Sequence, residues 1–201
     1  MIPAIVLAAG KSTRMGRQKA TLPLAADTFL SRIVRTFREA DVSEVIIVVG
    51  HLADKITSNW SPASGIVRFV LNPNYETGQF SSLLAGLDAL DPRPVSGALI
   101  TLVDVPLVSS ATVRAVVDRY LATGAPIVRP TRGTEHGHPV LIDRSLFDTL
   151  RRADPLVGAK AIVRAHASRE GDVEVDDEGA FRDVDTMEDY RRLIAEQPPR
   201  P

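Results

Sequence analysis

The chain has 201 residues, 44% of them hydrophobic and 24% charged, with a net charge of −1 and no cysteine. That length supports a sizeable core in one large domain or two small ones, and the lack of cysteine excludes disulfides, thiolate metal sites and cysteine nucleophiles. A near-neutral charge supplies no global field for nucleic acid or anionic lipid, so any anion site is built locally.

The apolar run over residues 2–9 has no basic residue before it and is too short for a signal or membrane segment, which predicts a cytoplasmic protein. Its strand, Ala4–Ala8, runs into Gly10-Lys11-Ser12-Thr13-Arg14-Met15-Gly16-Arg17-Gln18-Lys19. Two glycines, two hydroxyls and four cations thus cluster at a strand's carboxyl end, where open α/β sheets bind ligands. Glycines let backbone N–H groups approach phosphates, and Arg14 and Lys19 supply countercharge. The segment is expected to cradle a polyanion, foremost a nucleoside triphosphate. Its spacing fits neither a Walker A loop nor Gly-x-Gly-x-x-Gly.

Phe29, Leu30, Ile33, Val34 and Phe37 form a helical stripe, and Glu44–Val49 and Ile66–Leu71 are predicted strands. Gly78-Gln79-Phe80-Ser81-Ser82 opens a helix with the stripe Phe80, Leu83, Leu84 and Leu87. Its donors suit either simple capping or a base, ribose or phosphate. Strand Ala98–Val103 ends at Asp104-Val105-Pro106. Asp104 suits a turn or helix cap as well as a carboxylate holding Mg²⁺ on the same sheet edge as the Gly10 loop. A third helix, capped by Ser109 or Ser110, carries Val113, Val116, Val117, Tyr120 and Leu121. Strand and helix alternating at this rhythm predict a mostly parallel sheet with helices on both faces.

The second half is less regular. Pro126–Pro130 and Pro139–Ile142 are predicted strands around the loop Thr131–His138, whose two glycines and two histidines suggest a mobile lid. Helices are expected over Ser145–Arg152 and Val157–His166, with an edge strand over Val173–Val175. Asp183-Val184-Asp185 offers a second carboxylate pair, suited either to a helix start or to metal, before a Thr186–Asp189 capping box and a final helix. Pro198–Pro201 is expected to fray. The four histidines lack metal spacing, and no nucleophile elbow appears.

Together these residues resemble the molybdopterin nucleotidyltransferase-like proteins of the NTP-transferase superfamily. The family's Leu-Ala-(Ala/Gly)-Gly-x-Ser-x-Arg-Met-Gly-x-x-Lys signature stands intact over Leu7–Lys19. Its later motifs resemble Gly78–Leu87, Asp104-Val105-Pro106, Gly137–Val140 and Asp183–Asp189, in the family's order. Ala9 resembles the cytidylyltransferase branch. Leu84, where that branch often carries arginine, departs from it, as do Val103, Val105 and Lys160.

The resemblance implies one Rossmann-like three-layer α/β domain of the nucleotide-diphospho-sugar transferase type over residues 1–197. It implies transfer of a cytidylyl group from CTP to a pterin-type phosphate with release of pyrophosphate. Arg14, Lys19 and Asp104 would be catalytic. The nucleotide would lie against Leu7, Ala8, Ala9, Gly10, Ser12, Arg14, Gly16, Lys19, Ser81 and Ser82. Asp104 and Asp185 would hold Mg²⁺, or Mn²⁺ in its place, and Gly137 and His138 would face the acceptor. The implied partners are small-molecule substrates and a molybdoenzyme or its chaperone, with no nucleic acid or membrane, the chain acting as a monomer. Alternatives are a sugar-phosphate acceptor, oxidation of a heterocyclic substrate, or a non-catalytic nucleotide carrier.

Overall fold

The computed structural model describes residues 1–58, 60, 65–91 and 93–196. The elements in chain order are β1 (Ala4–Leu7), β2 (Pro23–Leu24), β3 (Asp27–Thr28), α1 (Phe29–Glu39), β4 (Val45–Val49), α2 (Ala53–Thr57), β5 (Val67–Leu71), α3 (Gln79–Asp88) and β6 (Gly97–Leu102). Then come α4 (Ser110–Thr123), β7 (Ile127–Arg132), β8 (Glu135–His136), β9 (Val140–Asp143), α5 (Phe147–Arg151), α6 (Gly158–His166), β10 (Asp172–Glu174) and α7 (Met187–Ala195). The tail expected to fray lies outside the described residues.

The main sheet has the order β10-β7-β9-β6-β1-β4-β5, with β8 paired to β7. The β6-β1-β4-β5 block is parallel, as is the β10–β7 pair, while β9 runs antiparallel between β6 and β7. Period-two alternation along β1 and β4 divides the core. Ala4, Val6, Val45 and Ile47 face the layer of α1 and α4, whereas Ile5, Ile46 and Val48 face the layer of α3, α5 and α6. This is the expected three-layer arrangement.

Caps explain where several helices begin. Thr28 and Ser31 form a capping box for α1, and the Ser109 hydroxyl accepts from Thr112 N–H at the start of α4. Thr186 accepts from Asp189 N–H, and the Asp189 carboxylate takes the Thr186 N–H at 2.8 Å in return. Aspartate here completes the box in place of glutamate.

The expected loop is a correction. Residues 131–138 form a β-hairpin in which Thr131 is buried and pairs with His136. Gly137 N–H donates to Pro130 O, and His138 N–H to Ala180 O, at 2.9 and 2.8 Å. Polar residues around the Gly133-Thr134 turn masked strands that already had partners. The predicted Ser145–Arg152 helix begins instead as a 3₁₀ turn, Arg144–Leu146, because the Asp143 side chain caps Ser145 N–H.

Candidate active site

Strands β1, β4 and β5 step outward, and the chain then returns through α3 to place β6 on the other side of β1. The carboxyl ends of β1 and β6 therefore flank the switch point of the sheet, where α/β folds open a crevice. A cleft of about 300 Å³ lies there. Leu7, Ala9, Gly10, Ser12, Arg14, Lys19, Ser82, Asp104 and Asp185 line it, with Thr13, Tyr75, Gly78, Gln79, Leu102 and Val103.

The loop after β1 is shaped by two left-handed residues, Ser12 (φ 50°) and Gly16 (φ 64°), around a 3₁₀ turn over Thr13–Met15. Glycine carries no Cβ penalty at such a φ. The Ser12 hydroxyl accepts from Lys19 N–H at 3.2 Å and closes the loop. Met15 is buried in a small apolar cluster with Leu22, Leu24, Phe29, Val184 and Leu193. That cluster joins the loop to the segment before α7, so Arg14 and Asp185, the neighbours of Met15 and Val184, meet at 3.0 Å. The same segment hangs from the end of β6, since Val184 N–H donates to Asp104 O at 2.8 Å.

Three distant parts of the chain thus converge on Lys19. Its Nζ lies 3.0 Å from Asp104 Oδ2 and 2.7 Å from Asp185 Oδ1. Lys19 is buried, with a side chain only 9% exposed. The ammonium of Lys19, and then the Arg14 guanidinium, hold the Asp185 carboxyl below the usual carboxylate range. Asp183 goes the other way: burial and the nearby Asp104 charge raise it. Asp104 lines the cleft, and its Oδ1 is buried with no hydrogen-bond partner, which leaves lone pairs unused there. Two convergent carboxylates with a spare oxygen fit a hard divalent cation, which Mg²⁺ sites commonly complete with substrate phosphates. Among the described residues no cluster of three or more His, Cys, Asp or Glu forms an all-protein metal cage.

The opposite wall begins at Gly78, whose φ of 116° turns the chain into α3. Asn72, buried just after β5, was not legible as a site residue. Its Nδ2 donates to Ser81 Oγ (2.9 Å) and Ser82 Oγ (3.0 Å), and its Oδ1 accepts from Asn74 N–H (2.9 Å). The only sequence signal was a polar residue interrupting a strand end before Pro73. Across the mouth, Lys11 pairs with Glu76 at 2.5 Å beside the Tyr75 ring. Three of the loop's cations therefore face carboxylates.

Several expected contacts do not reach the cleft. Ala8, which is buried, and Gly16, which is exposed, do not line it, and Ser81 spends its hydroxyl on Asn74 O and Gly78 O. Gly137 and His138 also stand outside it. A Cβ on Gly137 would lie 2.4 Å from Ala180 O, so this glycine serves close packing. His138 Nδ1 faces Ile100 O at 3.3 Å, and burial lowers the ring's pKa.

A model of the MobA-like NTP transferase domain matches residues 4–170. Nicotine blue oxidoreductase of Paenarthrobacter nicotinovorans is 30% identical over 202 residues, covering 96% of both chains. Bifunctional protein GlmU of Geobacter sulfurreducens is 35% identical over 140 residues, which are 68% of this chain but 29% of that protein. This chain therefore spans less than a third of that relative's length. The crystal structure of Rv0371c from Mycobacterium tuberculosis H37Rv is 30% identical with a TM-score of 0.79, covering 98% of this chain and 100% of that one, and the same protein has been solved in complex with manganese. Among the described residues no helix is long and apolar enough to cross a membrane. A signature loop, a switch-point cleft and a matching family model spanning most of its length place this chain in the MobA-like NTP transferase family.

Proposed function

We propose that this protein is a molybdenum cofactor cytidylyltransferase: a phosphate oxygen of a pterin-type acceptor attacks the α-phosphorus of CTP, and the bond to pyrophosphate breaks. The observation that carries the reading is the meeting of Lys19, Asp104 and Asp185 at the lip of the Gly10–Gly16 loop. Such transfer calls for charge neutralisation and in-line placement rather than covalent help from the protein. The loop's backbone N–H groups and Arg14 hold the triphosphate. Lys19 stabilises charge developing at the α-phosphate. Leu7, Ala9 and Ser82 bound the nucleoside end.

Asp104 and Asp185 would hold Mg²⁺ or Mn²⁺, which neutralises phosphate charge when bound. The manganese complex of Rv0371c supports a divalent ion. A cytoplasmic monomer that hands its product to a molybdoenzyme or its chaperone completes the proposal. The test is thermal shift with CTP, GTP, ATP and UTP, each with Mg²⁺, followed by pyrophosphate release with phosphorylated acceptors. Stabilisation by CTP alone supports the reading by mass action. Preference for another nucleotide, or release only with sugar phosphates, refutes it.

A second reading, oxidation of a heterocyclic substrate, rests on the end-to-end likeness to nicotine blue oxidoreductase. Saturable NAD(P)H binding without nucleotide-dependent pyrophosphate release would favour it.

A further inference from the structure

We infer that Asn72 is a positioning residue that makes Ser82 an obligate hydrogen-bond donor, so that the nucleoside wall of the cleft selects an acceptor oxygen. The inference rests on the proposed nucleotide site and extends it to the direction of one proton.

The amide of Asn72 has a fixed orientation. Its Oδ1 takes the Asn74 N–H at 2.9 Å, so the other end must be the amino group. Both amino hydrogens are committed, one to Ser81 Oγ and one to Ser82 Oγ. Asn72 is itself held in place, since its N–H donates to Val49 O at 2.8 Å and it is 3% exposed.

The two serines then differ. Ser81 receives from Asn72 and gives its one proton to the carbonyls of Asn74 and Gly78, at 3.0 and 2.8 Å. Its hydrogen bonding is complete. Ser82 also receives from Asn72, but among the described residues no protein acceptor takes its proton. The Gly78 carbonyl one turn back, the usual outlet for a helical serine, is already used by Ser81. Ser82 is buried yet lines the cleft. Its O–H therefore points at ligand, and an oxygen of the nucleoside is the partner that satisfies it: a base carbonyl or a ribose hydroxyl. A donor group placed there could use the remaining lone pair only by leaving the buried Ser82 proton unpaired, which is costly. Asn72 thus converts an ambivalent hydroxyl into a discriminating one.

The test compares wild type, Ser82→Ala, Asn72→Asp and the double variant. Calorimetry reads CTP affinity, pyrophosphate release reads KM and kcat, and thermal melting monitors folding. Aspartate keeps the shape of Asn72 and still accepts from Asn74, but it replaces two donors with lone pairs. Both serine protons then turn towards it, and Ser82 shows the cleft an acceptor. Each single variant is expected to bind CTP about tenfold more weakly, with the loss falling on KM rather than kcat. The double variant is expected to be no weaker than either single one, because both remove the same bond.

Two analogues identify the oxygen: 2′-deoxy-CTP lacks a ribose hydroxyl, and 2-thio-CTP carries a poor acceptor in place of the base carbonyl. The wild type is expected to bind one of them about tenfold more weakly than CTP, and Ser82→Ala to bind that one like CTP. Losses that multiply in the double variant overturn the inference. So does Ser82→Ala discriminating the analogues as the wild type does, a comparison that stands even if Asn72→Asp does not fold. A wild type that binds no nucleoside triphosphate refutes the nucleotide site itself.

Discussion

Replacing Lys19 by methionine keeps the length and apolar stem of the side chain and removes the ammonium that Asp104 and Asp185 share. Two effects follow, with separable magnitudes. Loss of one preorganised transition-state donor costs about 10²–10³ in turnover, or roughly 3–4 kcal/mol of barrier. The ground state also suffers, since two carboxylates now face each other, with Arg14 still paired to Asp185. Breaking a fully buried pair costs about 3–5 kcal/mol, but the Asp104 and Asp185 side chains are 22% and 35% exposed, so water relieves much of the strain. A loss of about 1–2 kcal/mol is the consistent figure, or roughly 2–8 °C in melting temperature for a chain of this size. Pyrophosphate release under saturating nucleotide measures the first effect, and calorimetric melting the second. A folded Lys19→Met protein with wild-type kcat would refute the catalytic role of Lys19. An unchanged melting temperature would refute the claim that the two carboxylates depend on it.

Arg14→Ala is expected to weaken nucleotide binding by about tenfold to a hundredfold, through loss of a charged hydrogen bond, while melting stays nearly constant because the side chain is 70% exposed; a large melting shift would contradict this. Gly137→Ala forces a methyl against Ala180 O and is expected to cost about 1–3 kcal/mol by overpacking, visible in urea unfolding; an unchanged midpoint with a raised acceptor KM would restore a substrate-contact role. Tyr120 Oη donates to Ser96 O and Asp143 Oδ2 at 2.8 and 2.6 Å, so Tyr120→Phe is expected to cost about 1–2 kcal/mol at neutral pH. Burial pushes the Asp143 carboxyl up, but hydrogen bonds from Ser145 and Tyr120 outweigh it and the net shift is down. Stability from Asp143 is therefore present above its unfolded pKa and lost as pH falls through the lower native value. The gap between wild type and Tyr120→Phe should accordingly narrow in acid, as melting between pH 7 and 3 would reveal; a constant gap would contradict the assignment.

The signature loop was legible because its chemistry is local: residues near in sequence make the turn, and Ser12 closes it onto Lys19. Strands β1, β4, β5 and β6 were legible to within one residue at their ends, because continuous β-branched runs mark buried parallel strands. Asn72 was not legible, because a single asparagine carries no periodicity. Its meaning comes from two serines that α3 brings back to it. The hairpin over residues 131–138 was misread for the converse reason, since composition suggested a loop where Gly137 and His138 find backbone partners on Pro130 and Ala180.

Sequence alone determined the α/β class, the glycine- and cation-rich loop after β1 and the two aspartate motifs, all of which are encoded by neighbours or by strand periodicity. Only the tertiary structure decided which atoms meet. The Met15–Val184 cluster and the Val184–Asp104 backbone bond draw Asp185 onto Lys19 across 166 residues. The helical rotation between Ser81 and Ser82 gives one serine to the backbone and the other to the cleft. Such outcomes depend on packing between elements far apart in the chain, and no local pattern carries that information.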